Sequence, residues 1–171
     1  MRNLIAYLAL ALSTTAFAGY IPNTSIYYYP QKDAMTDENQ GRLIVQEIND
    51  TSGSTMMLFQ CRGAGSFEAY LITKNTLVTA EDYDANLFPD LMYRMDSQPA
   101  KTLKTDGATD SGEPDYNTLA FTKAGSNALF QSFVNGNKVA VRVLRRGLSA
   151  LDYTFSAKSF TAGFKNVNNC K

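Results

Sequence analysis

Residues 55–73, TMMLFQCRGAGSFEAYLIT, contain two apolar runs on either side of a Gly-Ala-Gly turn. Residues 55–62 are mostly apolar, which is typical of a mostly buried strand. In residues 67–73, the side chains of Phe67, Ala69 and Leu71 alternate onto one face. Together with the strand-like run at 42–48 that precedes them, these segments have the spacing of β-hairpins. They therefore predict antiparallel pairing.

The sequence after this hairpin predicts further short strands and one clear helix. Residues 138–143 alternate Val139, Val141 and Val143 with more polar positions, and 90–95, 117–122 and 151–157 are also strand-like. Residues 123–134 carry a helical apolar stripe that Asn135-Gly136-Asn137 ends. Residues 77–79 predict the start of a strand before an acidic turn. Residues 97–116 predict a loop, and residues 159–167 predict a short closing helix.

These elements predict a mainly β fold, a single antiparallel β-sandwich of about seven strands with one or two short helices. We expect the sandwich domain to cover residues 42–171. Residues 19–41 are expected to form an N-terminal arm, or an edge strand between Pro22 and Pro30. The 171 residues are enough for one ordinary domain.

Residues 1–18 have the order of parts of a secretory signal peptide. Arg2 supplies a positive charge, residues 4–12 (LIAYLALAL) are apolar, and residues 16–18 (AFA) form a cleavage site. The apolar run is too short to span a bilayer as a helix, and the alternative is a buried N-terminal helix. Cleavage after Ala18 predicts a periplasmic or secreted bacterial protein with no membrane span.

The chain has two cysteines, Cys61 and Cys170. An even count in an oxidising compartment favours one disulfide, which would join an early strand to the C-terminus. Two free thiols, an intermolecular pair and metal ligation are the alternatives. Metal ligation has the least support, because neither a histidine nor a third cysteine accompanies the pair.

The composition argues against several classes of function. The formal charge is zero, whereas nucleic-acid-binding proteins usually carry a basic excess. The chain has no histidine, which removes Ser–His and Cys–His nucleophiles and histidine-ligated zinc. The G-x-S-x-G and S-x-x-K nucleophile signatures are missing too. We predict no catalytic residues and no cofactor.

Several charged groups are candidates for a binding role. The acidic segment 105–116 could bind calcium through Asp106, Asp110, Glu113 and Asp115, although the EF-hand spacing is missing and a solvated loop is the simpler interpretation. Arg94 and Asp96 are expected on one strand face, in a structural ionic network. Arg145 and Arg146 could hold an anion or guard a sheet edge.

The order of these features resembles the VasI/TagO-type periplasmic proteins associated with type VI secretion, and related uncharacterised bacterial secreted proteins. The resemblance covers residues 42–170. It is carried by Leu58-Phe59-Gln60-Cys61-Arg62, the strand at 67–73, Tyr93-Arg94-Met95-Asp96, the helix, the strand at 139–143, residues 153–157 and 160–164, and Cys170.

This chain departs from that pattern in two places. Gln60 stands before Cys61 where the family has arginine, and the tryptophan after the R-x-D strand is missing. The resemblance implies a non-catalytic envelope accessory protein with a β-sandwich fold and a Cys61–Cys170 disulfide.

Three functions are compatible with these features. The first is an exported cell-envelope binding or accessory protein that acts through protein–protein contacts, with a connection to secretion implied by the resemblance. The second is a secreted inhibitor of a lysozyme-like enzyme, which neutral overall charge mildly disfavours. The third is a glycoside hydrolase that uses two carboxylates, which would need them to face each other across a groove.

Overall fold

The computed structural model describes residues 18–171. Apart from Ala18, the predicted signal peptide lies outside these residues. None of the helices in the described part of the chain has the length and hydropathy needed to cross a membrane.

Residues 18–171 form eleven strands, three α-helices and a final 3-10 turn. The strands are β1 (Gly19–Tyr20), β2 (Ile26–Tyr29), β3 (Arg42–Gln46), β4 (Met56–Cys61), β5 (Phe67–Ile72), β6 (Asp90–Met95), β7 (Lys101–Leu103), β8 (Thr105–Asp110), β9 (Glu113–Phe121), β10 (Lys138–Leu144) and β11 (Leu151–Ser156). The helices are α1 (Ala80–Asp84), α2 (Lys123–Asn135) and α3 (Phe160–Asn166), and the 3-10 turn is Asn168–Cys170.

The strands build two antiparallel sheets. The larger has seven strands in the order β1-β2-β3-β4-β5-β9-β8, and the smaller has four in the order β11-β10-β6-β7. The predicted fold class, a mainly β antiparallel sandwich, is confirmed. The described residues hold more strands than the seven expected, and three helices rather than one or two.

The hairpin predicted from residues 55–73 is formed by β4 and β5. Phe59 lies opposite Ala69 and Leu58 opposite Tyr70, so the two strands alternate in phase. Gly63 and Gly65 adopt φ angles of +71° and +76°, which glycine reaches without steric cost. The Gly-Ala-Gly turn therefore fixes the register that places Phe59 and Ala69 in the core.

One hydrophobic core lies between the two sheets. Leu43, Met57 and Leu71 enter it from the large sheet, and Val139 and Val141 enter it from the small sheet. Helix α2 contacts strands of both sheets, and α3 contacts β2. A group of phenylalanine rings fills the space below these helices, with centroids 4.7–6.5 Å apart: Phe59, Phe67, Phe130, Phe133, Phe160 and Phe164.

A buried carboxylate joins the two sheets after β3. Glu47 is only 7% exposed. It accepts hydrogen bonds from the Asn49 backbone N–H at 2.6 Å, the Asn49 side chain at 3.0 Å and the Thr154 backbone N–H at 3.0 Å. The Ile48 N–H donates in turn to the Thr154 carbonyl. Because Thr154 belongs to β11, these bonds cover part of the exposed edge of the small sheet.

Two sequence predictions for the middle of the chain are wrong. Residues 97–116 contain β7, β8 and the start of β9 rather than a loop. Residues 77–79 do not begin a strand, because the Thr79 hydroxyl accepts a bond from the Asp82 N–H and caps α1. Glu81 and Asp82 of the predicted turn thus lie in the first turn of a helix, where the dipole favours negative charge.

Within the segment 19–41, the strands β1 and β2 belong to the large sheet. β2 pairs with β3 through Ile26 opposite Val45, and β1 pairs with the outer side of β2. Ile26 is fully buried. The N-terminal strands therefore extend the large sheet at one edge.

Cys61 and Cys170 form a disulfide with a Cα–Cα distance of 5.0 Å, and both residues are fully buried. The Asn39 amide reinforces this connection, because it donates to the Val167 and Lys171 carbonyls at 2.8 and 3.1 Å. The C-terminus is thereby attached to the start of the sandwich domain.

Candidate functional site

The outer face of the small sheet is a shallow concave surface with a volume of about 380 Å³. We call it the arginine groove. The residues of β6, β10 and β11 that point away from the core form its centre, and Ala100 lies at its side: Met92, Arg94, Ala140, Arg142, Asp152 and Thr154.

The register of the three strands sets the order of these residues. Arg142 lies between Met92 and Asp152, and in the neighbouring row Ala140 lies between Arg94 and Thr154. Two arginines therefore occupy adjacent rows, with small or apolar side chains beside them.

The two arginines differ in their partners. Arg142 forms a two-pronged ion pair with Asp152, with distances of 2.6 Å from Nε to Oδ1 and 2.8 Å from Nη2 to Oδ2. Hydrogen bonds from Arg142 hold the pKa of Asp152 below its usual range. Arg94 is exposed and forms neither an ion pair nor a side-chain hydrogen bond with another residue of the described range 18–171. Its guanidinium is the group of the groove available for an external anion.

The expected ionic network of Arg94 and Asp96 is not formed. Asp96 adopts a left-handed conformation immediately after β6, and its carboxylate accepts bonds from the Asn137 and Lys138 backbone N–H groups at 2.9–3.2 Å. Asp96 thus fixes the turn from α2 into β10. Its role is structural, as expected, but the partner is backbone rather than Arg94.

Arg145 and Arg146 also bind groups within the protein. Arg145 donates to the Ser149 and Thr76 carbonyls at 2.9 and 2.7 Å, and Arg146 pairs with Asp82 at 3.2 Å. These contacts hold the turn after β10 against α1 and the loop before it. They favour the structural interpretation over an anion site.

The four calcium candidates lie on the hairpin of β8 and β9, whose turn is Ser111-Gly112. Asp110 lies opposite Glu113, and Asp115 follows on β9. These three line a cleft of about 660 Å³ beside Tyr116. Asp106 lies apart from them and lines a different cleft. Within residues 18–171 no three acidic, cysteine or histidine side chains are grouped closely enough to hold a metal.

The strand geometry explains this separation. The chain was expected to form a flexible loop that could wrap around an ion, but extended strands spread their side chains over opposite faces. A register shift between Gly107 and Ala108 separates Asp106 further from the tip. The result is an exposed acidic hairpin.

A cleft of about 690 Å³ opens where β5 separates from β9, with Glu68 on one wall and Asp106 on the other. Arg62 donates to Glu68 Oε2 from Nε and Nη2 at 2.8 and 2.7 Å, and the Tyr70 hydroxyl donates to the same oxygen. Burial raises the pKa of the Glu68 carboxyl, but the bonds from Tyr70 and Arg62 outweigh it and lower the pKa overall. A general acid requires the opposite shift.

The outer face of the large sheet carries apolar side chains across its central strands. Tyr27, Ile44, Leu58 and Tyr70 occupy one continuous row from β2 to β5. Met56 and Ile72 extend this surface in the adjacent row. We call these six residues the apolar face, and all of them are partly exposed.

The sequence did not predict this surface. It predicted a mostly buried strand at 55–62, whereas Met56 and Leu58 in fact point outward. An outward row of apolar residues is notable because the solvated face of an antiparallel sheet is usually polar. Alternation of side chains within each strand could have shown which residues point outward. The register between the strands was also needed to show that these residues form one surface.

Comparison of the chain with protein-family models, with curated proteins and with solved structures finds no match.

Proposed function

We propose that this protein is an exported, non-catalytic binding protein of the bacterial cell envelope. In this proposal, the arginine groove contacts an acidic segment of a protein partner. The observation that carries the proposal is Arg94, a cation in a concave surface that no carboxylate of the described residues neutralises.

The composition of the groove supports a protein partner. Arginine and methionine are enriched at protein–protein interfaces, and Met92 and Arg94 lie side by side on β6, one residue apart on the outward face. Arginine offers a planar set of donors that binds a carboxylate in two places at once. Ala140 leaves room between the two arginines, so a partner's side chain can approach both rows.

Export is supported by two features. The signal-peptide pattern at residues 1–18 predicts secretion, and the Cys61–Cys170 disulfide is typical of an oxidising compartment. The resemblance to VasI/TagO-type proteins favours an accessory role in the envelope. We include a connection to a secretion system in the proposal on that ground.

The proposal is tested by affinity capture. Tagged, oxidised protein from Gly19 to Lys171 is incubated with an envelope extract, and the retained proteins are identified by mass spectrometry. We expect a defined envelope protein to be retained by the natural sequence. The Arg94→Glu variant should retain at least tenfold less of this protein, because a carboxylate at this position repels the acidic partner.

The matched control is Lys158→Glu, which makes the same change in charge at an exposed position in the turn after β11. It should retain the partner. Equal capture by both variants would contradict a role for the groove, and a failure to retain any specific protein would contradict the binding function itself.

A second candidate function is inhibition of a lysozyme-like enzyme, which the acidic hairpin favours. Asp110, Glu113 and Asp115 extend from the end of the large sheet, where they could meet the basic surface of such an enzyme. Inhibition of lysozyme should then disappear when these three residues are changed to Asn, Gln and Asn, and it should survive Arg94→Glu. Absence of inhibition by the natural sequence would exclude this candidate.

A further inference from the structure

The apolar face has charged groups at one side of its row. Next to the row of Tyr27, Ile44, Leu58 and Tyr70 runs a second row, in which Arg42 lies opposite Gln60 and Gln60 lies opposite Glu68. Arg42 and Glu68 are therefore placed one strand away from β4 on opposite sides. Their charges are opposite, so two copies of this surface could place the Arg42 of one copy opposite the Glu68 of the other.

Both Arg42 and Glu68 can form a further ion pair. Arg42 donates from Nε to the Gln60 side chain at 2.9 Å, but it forms no ion pair within residues 18–171. All bonds that Arg62 and Tyr70 make to Glu68 end at its Oε2 atom. Oε1 of Glu68 accepts no bond within the described range, so it is free to accept one from an incoming guanidinium.

We propose that the apolar face binds a second copy of the same chain, with the twofold axis along β4. Rotation by 180° about this axis places β3 of one copy against β5 of the other. Arg42 then faces the Glu68 of the second copy, and Ile44 faces its Tyr70. Leu58 and Met56 on the axis meet the same residues of the second copy.

This arrangement is physically reasonable for two sheets. Packed sheets align their strands within about 30°, which a twofold axis parallel to β4 permits. An interface of this kind is isologous, because the same surface is used by both copies. The formal charge of the whole chain is zero, so overall repulsion does not oppose self-association.

The area of the face indicates a weak dimer. Four strands about 4.8 Å apart and a depth of about 17 Å give roughly 330 Å² per copy. A stable interface usually buries about 800 Å² per partner, so we expect a dissociation constant above about 1 μM. The experiment must therefore extend to several hundred micromolar protein.

The first test is sedimentation velocity over a concentration series with oxidised protein from Gly19 to Lys171. We expect a monomer–dimer equilibrium, and the Leu58→Asp variant should remain monomeric because it buries two carboxylates on the axis. The control Lys158→Glu should dimerise as the natural sequence does. A protein that stays monomeric throughout, or a dimer that Leu58→Asp does not affect, would overturn the proposal.

The second test is a charge exchange that only the proposed geometry satisfies. Arg42→Glu alone and Glu68→Arg alone each place like charges opposite one another, and each should weaken dimerisation at least tenfold. An equimolar mixture of the two variants should form a heterodimer, since each contact then pairs opposite charges again. A mixture that associates no better than its components would contradict the pairing of Arg42 with Glu68.

This inference is independent of the proposed function because the apolar face and the arginine groove belong to different sheets. A natural protein that stays monomeric at every concentration but still captures the envelope partner would remove the inference alone. Loss of capture by Arg94→Glu with unchanged dimerisation would support the proposed binding function of the arginine groove without bearing on the dimer.

Discussion

The two outer faces of the sandwich differ in where they carry their charges. On the large sheet the centre is apolar, and Arg42 and Glu68 lie in the row beside it. On the small sheet two arginines and Asp152 occupy the centre, with apolar groups between and beside them. Covering a charge is costly unless it is paired. A partner of the small sheet would therefore need charges of its own, whereas another apolar surface would be enough to cover the large sheet.

The largest expected effect distinguishes the inner from the outer side of one strand. Val141 on β10 is 2% exposed, and Val141→Asp places an unpaired charge in the core. We expect a loss of about 3–5 kcal/mol in the free energy of unfolding, measured in urea. Ala140→Asp, which points outward beside Arg94, is the control and should change stability by less than about 0.5 kcal/mol. An unchanged midpoint for Val141→Asp would place that face at the surface.

The next largest effect concerns the connection between the C-terminus and the large sheet. The disulfide closes a loop with a sequence separation of 109 residues. Replacing both cysteines by alanine should lower the free energy of unfolding by about 4 kcal/mol, because the unfolded chain regains freedom. Thermal and urea unfolding of the oxidised protein and the variant measure this difference. Quantitative alkylation of both cysteines in denatured, unreduced natural protein would contradict the disulfide.

A smaller effect is expected where the two sheets meet. Glu47→Gln keeps the shape of the side chain but replaces one acceptor oxygen by an NH₂ donor, next to N–H groups that also donate. We expect a loss of about 1–2 kcal/mol in unfolding free energy. Glu38→Gln, at an exposed position, is the matched control and should have almost no effect. Equal stability of both variants would show that Glu47 does not hold the sheets together.

The smallest effect is the pH dependence of Glu68 beside the apolar face. Its pKa is lowered in the folded protein, so ionised Glu68 stabilises the fold above the unfolded value of about 4.3. This contribution is lost as the pH falls through the lower folded-state pKa. Glu68→Gln should therefore cost less than about 1 kcal/mol at pH 7, since the pair is half exposed, and nothing at pH 2. A pH-independent difference in urea midpoint would contradict this.

The sequence was sufficient for the parts of the fold that repeat locally. Val139, Val141 and Val143 alternate in a way that marks one face of β10, and the Gly-Ala-Gly turn defined the hairpin of β4 and β5. The cysteine pair was the favoured prediction on count and compartment. These features depend on neighbouring residues or on composition, which a single sequence contains.

The segment 105–110 could not be predicted because its residues are poor strand formers. Asp and Gly are depleted in strands, and β8 exists because β9 pairs with it. Gly107 is required there by the Phe88 ring, since a Cβ atom at this position would lie 2.7 Å from a ring carbon. That close approach involves residues distant in the sequence, so it left no local signal.

The candidate site was predicted only in part. Arg94 and Asp96 were expected to form a structural ionic network, but the contacts of each residue depend on what the β6–β10 register places beside it. The acidic residues at 105–116 were considered as calcium candidates, beside the simpler interpretation of a solvated loop, because this segment was expected to be a loop. The apolar face was missed because it combines single outward residues from four strands, and only their alignment makes them a surface.

The most direct test is a parallel measurement of capture and sedimentation for the natural sequence, Arg94→Glu and Leu58→Asp. We expect Arg94→Glu to lose the envelope partner and remain dimeric, and Leu58→Asp to keep the partner and become monomeric. This outcome would show that the two faces bind different partners. Loss of both properties in either variant without loss of folding, or retention of the partner by Arg94→Glu, would contradict the division between the two faces.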